Sequence, residues 1–466
     1  MARGSSEAAL RPVRILVWAA VAATVALRAP DAGALAVARA AGARVVLEGR
    51  VPVRLGLDVF GAPGAWDGGL GWLGGLTVWL VSAAGPAAAT LTTALTALLA
   101  LWLVELRARE RAPGAVALVA TAFAALCAAD ALRPGGAIEN AAFAAALLLL
   151  LERPGPRRAL WSAALAVVWC NASPAGLLAP ALAAVAALGA HLERRLPAER
   201  RDAWLAFAAT ALATLATPAG WTFPALAYEA LRVDRALDGL VPYHPADVSD
   251  LAYRTGFVLA VLAALTFGAG RLRPGDALLW TAALLLALAN GSYLAIFGVV
   301  VAPLLAASAA EALGKRGPAG PLARGPGARA VLAAAALVFA LAAALGGALR
   351  PAAPADASVL ARTLAADGRG HRLFCAVVDW CSEAAAASPR ISVFVDGRVE
   401  AYPAAVLTEQ RDLAGLKGDW RGRLAGRRID AVLVRRDRAF ATLVGSRPGW
   451  SPAGTAGNLA LYVRRP

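Results

Sequence analysis

The residues best suited to chemistry stand near the two ends of the chain. Asp31 and Asp58 lie in DAGALAVARAAGARVVLEGRVPVRLGLDVFGAPGAWDGGLGWL (31–73), with Asp67 and the basic residues Arg39, Arg44, Arg50 and Arg54. Asp396, Arg398, Glu400 and Tyr402 fall within FVDGRVEAYP (394–403). A carboxylate beside a substrate hydroxyl can take its proton as general base, or ligate a divalent cation. Arginine forks pair with phosphate. The same residues also have plain structural roles. Pro30 and Asp31 form a helix-start pair, and on spacing alone the cap is the better reading of Asp31. Asp58 and Asp67 sit among Gly/Pro turns, and Asp396-Gly397 is a turn pair that an ion pair to Arg398 would rigidify. For that last cluster, site and staple both stand.

The elements that must position these residues are set by an apolar chain. It is 59% hydrophobic and only 17% charged over 466 residues, with a mean hydropathy of +0.61. Soluble domains carry about a quarter charged residues. Crossing the hydrocarbon takes about 20 mostly apolar residues. Runs of that kind are expected at 15–27, 86–104, 114–131, 137–151, 159–170, 175–191, 203–217, 255–269, 276–289, 293–311 and 329–348. The fold class that follows is an all-α polytopic membrane bundle of about eleven helices.

Direction comes from arginine. With the N-terminus in the cytoplasm, nineteen Lys and Arg, among them Arg14, Arg107, Arg109, Arg111, Arg195 and Arg273, fall in cytoplasmic segments. The short opposite loops hold only Arg133. That asymmetry fixes the topology by the positive-inside rule. The segment WLGGLTVWLVS (72–82) is short and glycine-bearing, and counting it as a span would reverse every later one, so it reads as an interfacial or re-entrant piece. Residues 1–349 then form a transmembrane domain of the plasma or inner membrane, with external loops at 28–85 and 218–254. Residues 350–466 form an extracytoplasmic domain.

That tail alternates apolar strands, at 372–378, 391–395, 430–436 and 458–465, with helices, which argues a small α/β domain with a mainly parallel sheet. Ligands gather at the carboxyl ends of such strands, where Asp396 falls. Cys127 and Cys170 lie in apolar runs, whereas Cys375 and Cys381 are close enough in sequence to pair in an oxidising compartment.

Several function classes lose support. The net charge of +15 is scattered between apolar runs and along the tail, which is no nucleic-acid groove. Midspan acids of an ion-coupled transporter are missing, since Asp130, Glu139 and Glu311 fall near span ends. No Walker loop, HExxH or paired CxxC occurs, and the three histidines are far apart.

Asp31 with GARVVLEGRVP (42–52), LDVF (57–60) and WDGGLGW (66–72) resembles the first external loop of a group of bacterial polytopic membrane proteins similar to GT-C glycosyltransferases, which use polyprenyl-phosphate sugars. The likeness continues in order along nearly the whole chain. VVWCNASPAGLL (167–178) resembles a W-x-N-x-H stretch with Asn171 in place, ATPAGW (216–221) resembles L-x-N-P-x-G-W, and FVDGRVEAYP (394–403) resembles V-F-x-D-G-R-x-x-x-Y. Ser173 and Thr217 depart from the His and Asn of those patterns.

The resemblance implies transfer of a sugar from a lipid-phosphate donor at the external face. Asp31 would be general base or ligand to a divalent cation, with Asp58 a second carboxylate. Arg50, Arg54, Asn171, Asp396, Arg398, Glu400 and Tyr402 would bind substrate. The alternative is a non-catalytic membrane scaffold whose external domain binds a partner or a polysaccharide.

Overall fold

The computed structural model describes residues 2–28, 32–54, 59–135, 137–153, 155, 157–232, 273–289, 291–315, 356–398 and 401–465. Alanine and leucine are the commonest residues of the chain, and it is helical where runs of them are long enough to propagate. The helices are α1 (Ala2–Leu27), α2 (Ala32–Glu48), α3 (Trp72–Ala83), α4 (Pro86–Arg111), α5 (Gly114–Cys127), α6 (Ile138–Glu152), α7 (Arg158–Ala172), α8 (Leu178–Leu192), α9 (Pro197–Ala213) and α10 (Phe223–Arg232). They continue with α11 (Pro274–Ala289) and α12 (Leu294–Lys315). Pro86 and Pro197 open α4 and α9, where a missing N–H costs nothing, and Arg109 and Arg111 end α4, where they oppose its dipole.

Helices thus occupy nine of the eleven expected spans. The other two, 255–269 and 329–348, lie outside the described residues. Among the described residues, four segments are long and apolar enough to cross a membrane: Leu10–Leu27, Ala87–Arg111, Pro174–Leu192 and Leu294–Glu311. The stretch 72–82 is helical as α3 and packs against α2 as the second arm of a hairpin.

One end of the bundle is tied by ion pairs among the arginines that give the sequence its asymmetry. Arg107, fully buried, donates through Nη2 and Nε to Glu152 at 2.6 and 3.2 Å, joining α4 to α6. Its Nη1 donates to the Val299 carbonyl of α12 at 3.1 Å. That carbonyl needs a partner because Pro303, four residues on, has no N–H to offer it. Arg111 bridges Glu152 and Asp276, both at 3.1 Å, and so adds α11.

At the other end of α4, about 39 Å away at 1.5 Å per residue, sits the tail. It comprises α13 (Asp356–Ala365), β1 (His371–Cys375), α14 (Val378–Ala387), β2 (Ile391–Val393), α15 (Ala404–Ala414), α16 (Trp420–Gly426), β3 (Ala431–Arg435), α17 (Ala439–Gly445), β4 (Trp450–Ala456) and β5 (Leu459–Arg464). The sheet order is β2-β1-β3-β5-β4. It is mixed rather than mainly parallel: β1 runs parallel to β2 and β3, whereas β5 is antiparallel to β3 and β4. β4 escapes the sequence pattern because Pro452 and Gly454 interrupt it, with a register irregularity between them. All four cysteines are buried free thiols.

The first loop closes the β2 edge. Val59 bridges Val393 in parallel, Phe60 N donates to Val393 O, and Gly61 N donates to Phe394 O, both at 2.9 Å. A Cβ on Gly61 would lie 2.2 Å from the Phe394 carbonyl oxygen, so only glycine allows this approach.

Two substitutions test these joints. Arg107→Met should cost about 3–5 kcal/mol, since Glu152 loses its main partner, and a Pro303→Ala background should reduce that cost by about 1 kcal/mol by giving Val299 O an N–H partner. Unfolding of the four variants in one detergent measures both. Gly61→Ala should release the loop from the β2 edge, read as faster amide exchange at residues 60 and 61, whose N–H groups donate to Val393 O and Phe394 O.

Candidate functional site

Three of the motifs meet at one amide. Asn171, near the end of α7, accepts from Trp72 Nε1 through Oδ1 at 2.6 Å and donates through Nδ2 to the carbonyls of Ala216 at 2.9 Å and Val167 at 2.8 Å. The side chain is buried. Ser173, at the position where the resembled pattern has His, accepts from the Ala175 amide and turns the chain into α8. Asn171 therefore fixes the start of α3 against the turn at 216–221.

The fourth motif is built around Asp396, which is 5% exposed. Its Oδ1 accepts from the Arg398 amide at 3.0 Å and from the Tyr402 hydroxyl at 2.9 Å. Its Oδ2 accepts from Arg398 Nη2 at 2.5 Å and Nε at 3.0 Å. Tyr402 Oη also accepts the Asp396 amide at 3.0 Å. Burial works against ionisation here, but the Arg398 charge and these donors outweigh it and hold the carboxyl below the usual carboxylate range. Burial and the Asp396 charge together push the Tyr402 phenol well up. Gly397 packs the turn onto the membrane part, since a Cβ there would meet Val37 of α2 at 3.0 Å and Ser382 at 3.2 Å.

Asp67 faces this staple from the first loop and feels the charges of Arg398, Arg44 and Asp396. Its amide donates to Val53 O and its Oδ1 accepts from the Gly69 amide at 2.9 Å. Burial is the largest influence and raises its pKa despite the two arginines. Arg44 is held by Glu48 at 3.1 Å and by the Arg54 carbonyl at 3.0 Å. Arg54 donates to Gly64 O at 2.9 Å and lies over the Trp66 ring, so it organises the loop. Arg50 is exposed, 3.7 Å from Glu48.

A separate face of α2 lines a cavity of about 690 Å³ between the membrane part and the tail. Leu35, Ala36 and Arg39 of α2, Trp79 and Ser82 of α3, and Ala89 of α4 form one wall. Arg362 of α13 and Glu383 of α14 form the other. Two guanidiniums against one carboxylate leave this lining with a positive balance. Beyond Ala89 the same helix carries exposed Leu91, Leu95 and Leu99.

No family model matches the chain and no curated protein matches it. Among solved structures, a mutant of the arabinofuranosyltransferase AftD from Mycobacteria aligns with 98% of the chain at a TM-score of 0.56 and 17% identity. The chain spans 42% of AftD. ArnT from Cupriavidus metallidurans, solved bound to undecaprenyl phosphate, aligns with 99% of the chain and 98% of its own length at a TM-score of 0.56 and 14% identity. Both are GT-C glycosyltransferases. The chain is a membrane protein with a GT-C-like fold. At these identities the likeness is one of fold.

Within this GT-C-like fold, Asn171, Asp396, Arg398 and Tyr402 are described, whereas Asp31, Asp58 and Glu400 lie outside the described residues. Asp396, Arg398 and Tyr402 come together as one cluster, and Asn171 sits at a different joint beneath the first loop. Asp31 immediately precedes α2, whose first two turns line the cavity. Arg362, Glu383 and Trp79 carry no signal in the sequence, because on an amphipathic helix a charged residue reads as solvated surface and an aromatic one as core. Only the docking of the tail onto α2–α4 brings them together.

The two loop carboxylates should respond oppositely to pH. A folded pKa below the unfolded one gives Asp396 a stabilising contribution that is present at neutral pH and lost as pH falls below about 3.8. Asp396→Asn should cost about 3 kcal/mol at pH 7, by stranding Arg398, and less at pH 3. Asp67, with its pKa raised, carries a penalty that sets in as pH rises through the carboxylate range. Asp67→Asn should raise the melting temperature at pH 7 and leave it unchanged at pH 3. Melting curves of both variants at the two pH values check the signs.

Proposed function

We propose that the chain is a GT-C membrane glycosyltransferase that transfers a sugar from a polyprenyl-phosphate donor at the extracytoplasmic face. The observation that carries this reading is the cavity between α2, α3, α4 and the tail. A lipid-phosphate sugar needs an anion site at the edge of the hydrocarbon, an apolar route for its chain and a platform for its ring. Arg39 and Arg362 supply the first, the exposed Leu91, Leu95 and Leu99 of α4 the second, and the Trp79 indole the third. ArnT, of similar fold, is bound to undecaprenyl phosphate.

Asp31, next in the chain to the helix whose first turns line this cavity, is assigned as general base. It takes the proton of an acceptor hydroxyl while the freed oxygen attacks the anomeric carbon of the donor. The bond from that carbon to the phosphate oxygen breaks, and polyprenyl phosphate leaves with the electron pair. Arg39 and Arg362 stabilise the charge that grows on the leaving phosphate. Among the described residues no three His, Cys, Asp or Glu come together as a metal site. The lining of the cavity offers Arg39 and Arg362 to the phosphate charge.

Asp58, Glu400 and Arg50 are further candidates for substrate contact, and Arg54 acts by organising the first loop. Asp396 and Tyr402 act by holding Arg398, and Asn171 by holding Trp72 at the start of α3. The scaffold reading keeps the staple but assigns the cavity no turnover.

In membranes carrying the full chain, Asp31→Asn should lower consumption of a radiolabelled polyprenyl-phosphate sugar by about 10²–10⁴-fold with expression unchanged. Arg39→Gln and Arg362→Gln should each lower donor turnover about tenfold or more. Unimpaired transfer by Asp31→Asn rejects its role. Consumption of no polyprenyl-phosphate sugar by the unaltered chain leaves the scaffold.

A further inference from the structure

At the end of the bundle away from the tail, α1 and α4 leave a pocket of about 140 Å³. Its lining is Arg14 and Trp18 from α1 and Trp102, Glu105, Leu106 and Arg109 from α4. Glu105 Oε1 lies 2.8 Å from Arg14 Nε and 3.0 Å from Arg109 Nε. The carboxylate is nearly fully buried, whereas the side chains of Arg14 and Arg109 keep 25% and 30% of their surface exposed. Glu105 therefore sits between two arginines whose partly exposed side chains line the pocket with it. Two cations and one anion give the lining a positive balance.

The surroundings set the depth of this pocket in a bilayer. Both helices include segments long and apolar enough to cross a membrane. Trp102 is 52% exposed, and Ile15, beside Arg14, is exposed as well. Indoles gather at the level of lipid headgroups, and arginines within a turn or two of them on the same helix reach the phosphates. Pockets of this composition between transmembrane helices suit an anionic headgroup.

We propose that this pocket binds the phosphate of an anionic phospholipid, with Arg14 and Arg109 donating to its oxygens and the acyl chains lying along Ile15 and Trp102. The bound lipid adds to the Arg14–Glu105 ion pair that already links α1 to α4. A zwitterionic headgroup is disfavoured because it brings its own ammonium to a site that is already positive. The site is independent of the sugar-transfer reading, since it lies at the opposite end of α4 from the cavity.

Native mass spectrometry of the detergent-solubilised full chain, titrated with phosphatidylglycerol or phosphatidylcholine, tests the site. One phosphatidylglycerol should be retained per chain in preference to phosphatidylcholine. Arg14→Gln with Arg109→Gln should lower that retention roughly tenfold or more. Because this pair of changes strands buried Glu105, the same measurement is made with Glu105→Gln added, which removes the stranded charge and must show the same loss. Equal retention of both lipids by the unaltered chain, or undiminished phosphatidylglycerol binding by the folded triple variant, overturns the proposal.

Discussion

An open sheet edge cannot be left beside a membrane, and the way this protein covers one organises everything at that end of the molecule. β2 has only three residues and one paired side within the tail. Residues 59–61 of the first loop supply the other side with two backbone hydrogen bonds and a parallel bridge. Unpaired strand groups invite association with other chains, so this closure serves solubility as well as placement. Placement is the larger consequence. With the edge joined to the loop, the turn at 396–398 comes to rest on Val37, and α13 and α14 come to rest opposite α3 and α4 with a cavity between.

The polar groups gathered there divide into two kinds. Asp396, Arg398 and Tyr402 satisfy one another almost completely, as buried charges must if they are not to destabilise the fold. Asn171 is satisfied in the same way. Such groups hold shape. Arg39, on an exposed turn of α2, and Arg362, on an exposed turn of α13, face a volume large enough for a ligand. Asp67 stands between the two kinds: half-buried, near two arginines, and still costly to ionise. Groups that the fold has already neutralised hold shape, so the proposed sugar transfer is assigned to the cavity rather than to the DGR turn.

The arginines at the other end have two tasks at once. Read along the chain, they form the charge asymmetry that orients a polytopic protein. In space, Arg107 and Arg111 are held by Glu152 and Asp276, and Arg14 and Arg109 by Glu105. Arg107 also closes the backbone defect that Pro303 makes in α12. A residue that a topology rule counts only as a positive charge is here a packing element between three helices.

Hydropathy and the positions of Pro and Gly were enough to expect helices at 86–104, 114–131 and 293–311, where α4, α5 and α12 stand, and the apolar strand pattern gave β1, β2, β3 and β5 of the tail. These are local properties: a run of Ala and Leu propagates a helix wherever it sits, and a strand pattern survives without knowledge of its partner. The motif residues Asn171, Asp396, Arg398 and Tyr402 could be picked out for the same reason, since each lies in a short recognisable stretch. Their tasks could not, because whether a carboxylate is a base or a staple depends on how many donors reach it. Tertiary structure alone decided that β4, broken by Pro452 and Gly454, completes a mixed sheet, that the first loop closes the β2 edge, and that Arg39, Trp79, Arg362 and Glu383 share one cavity. Arg39 and Trp79 are separated from Arg362 and Glu383 by more than half of the chain, so no window along the sequence contains the site.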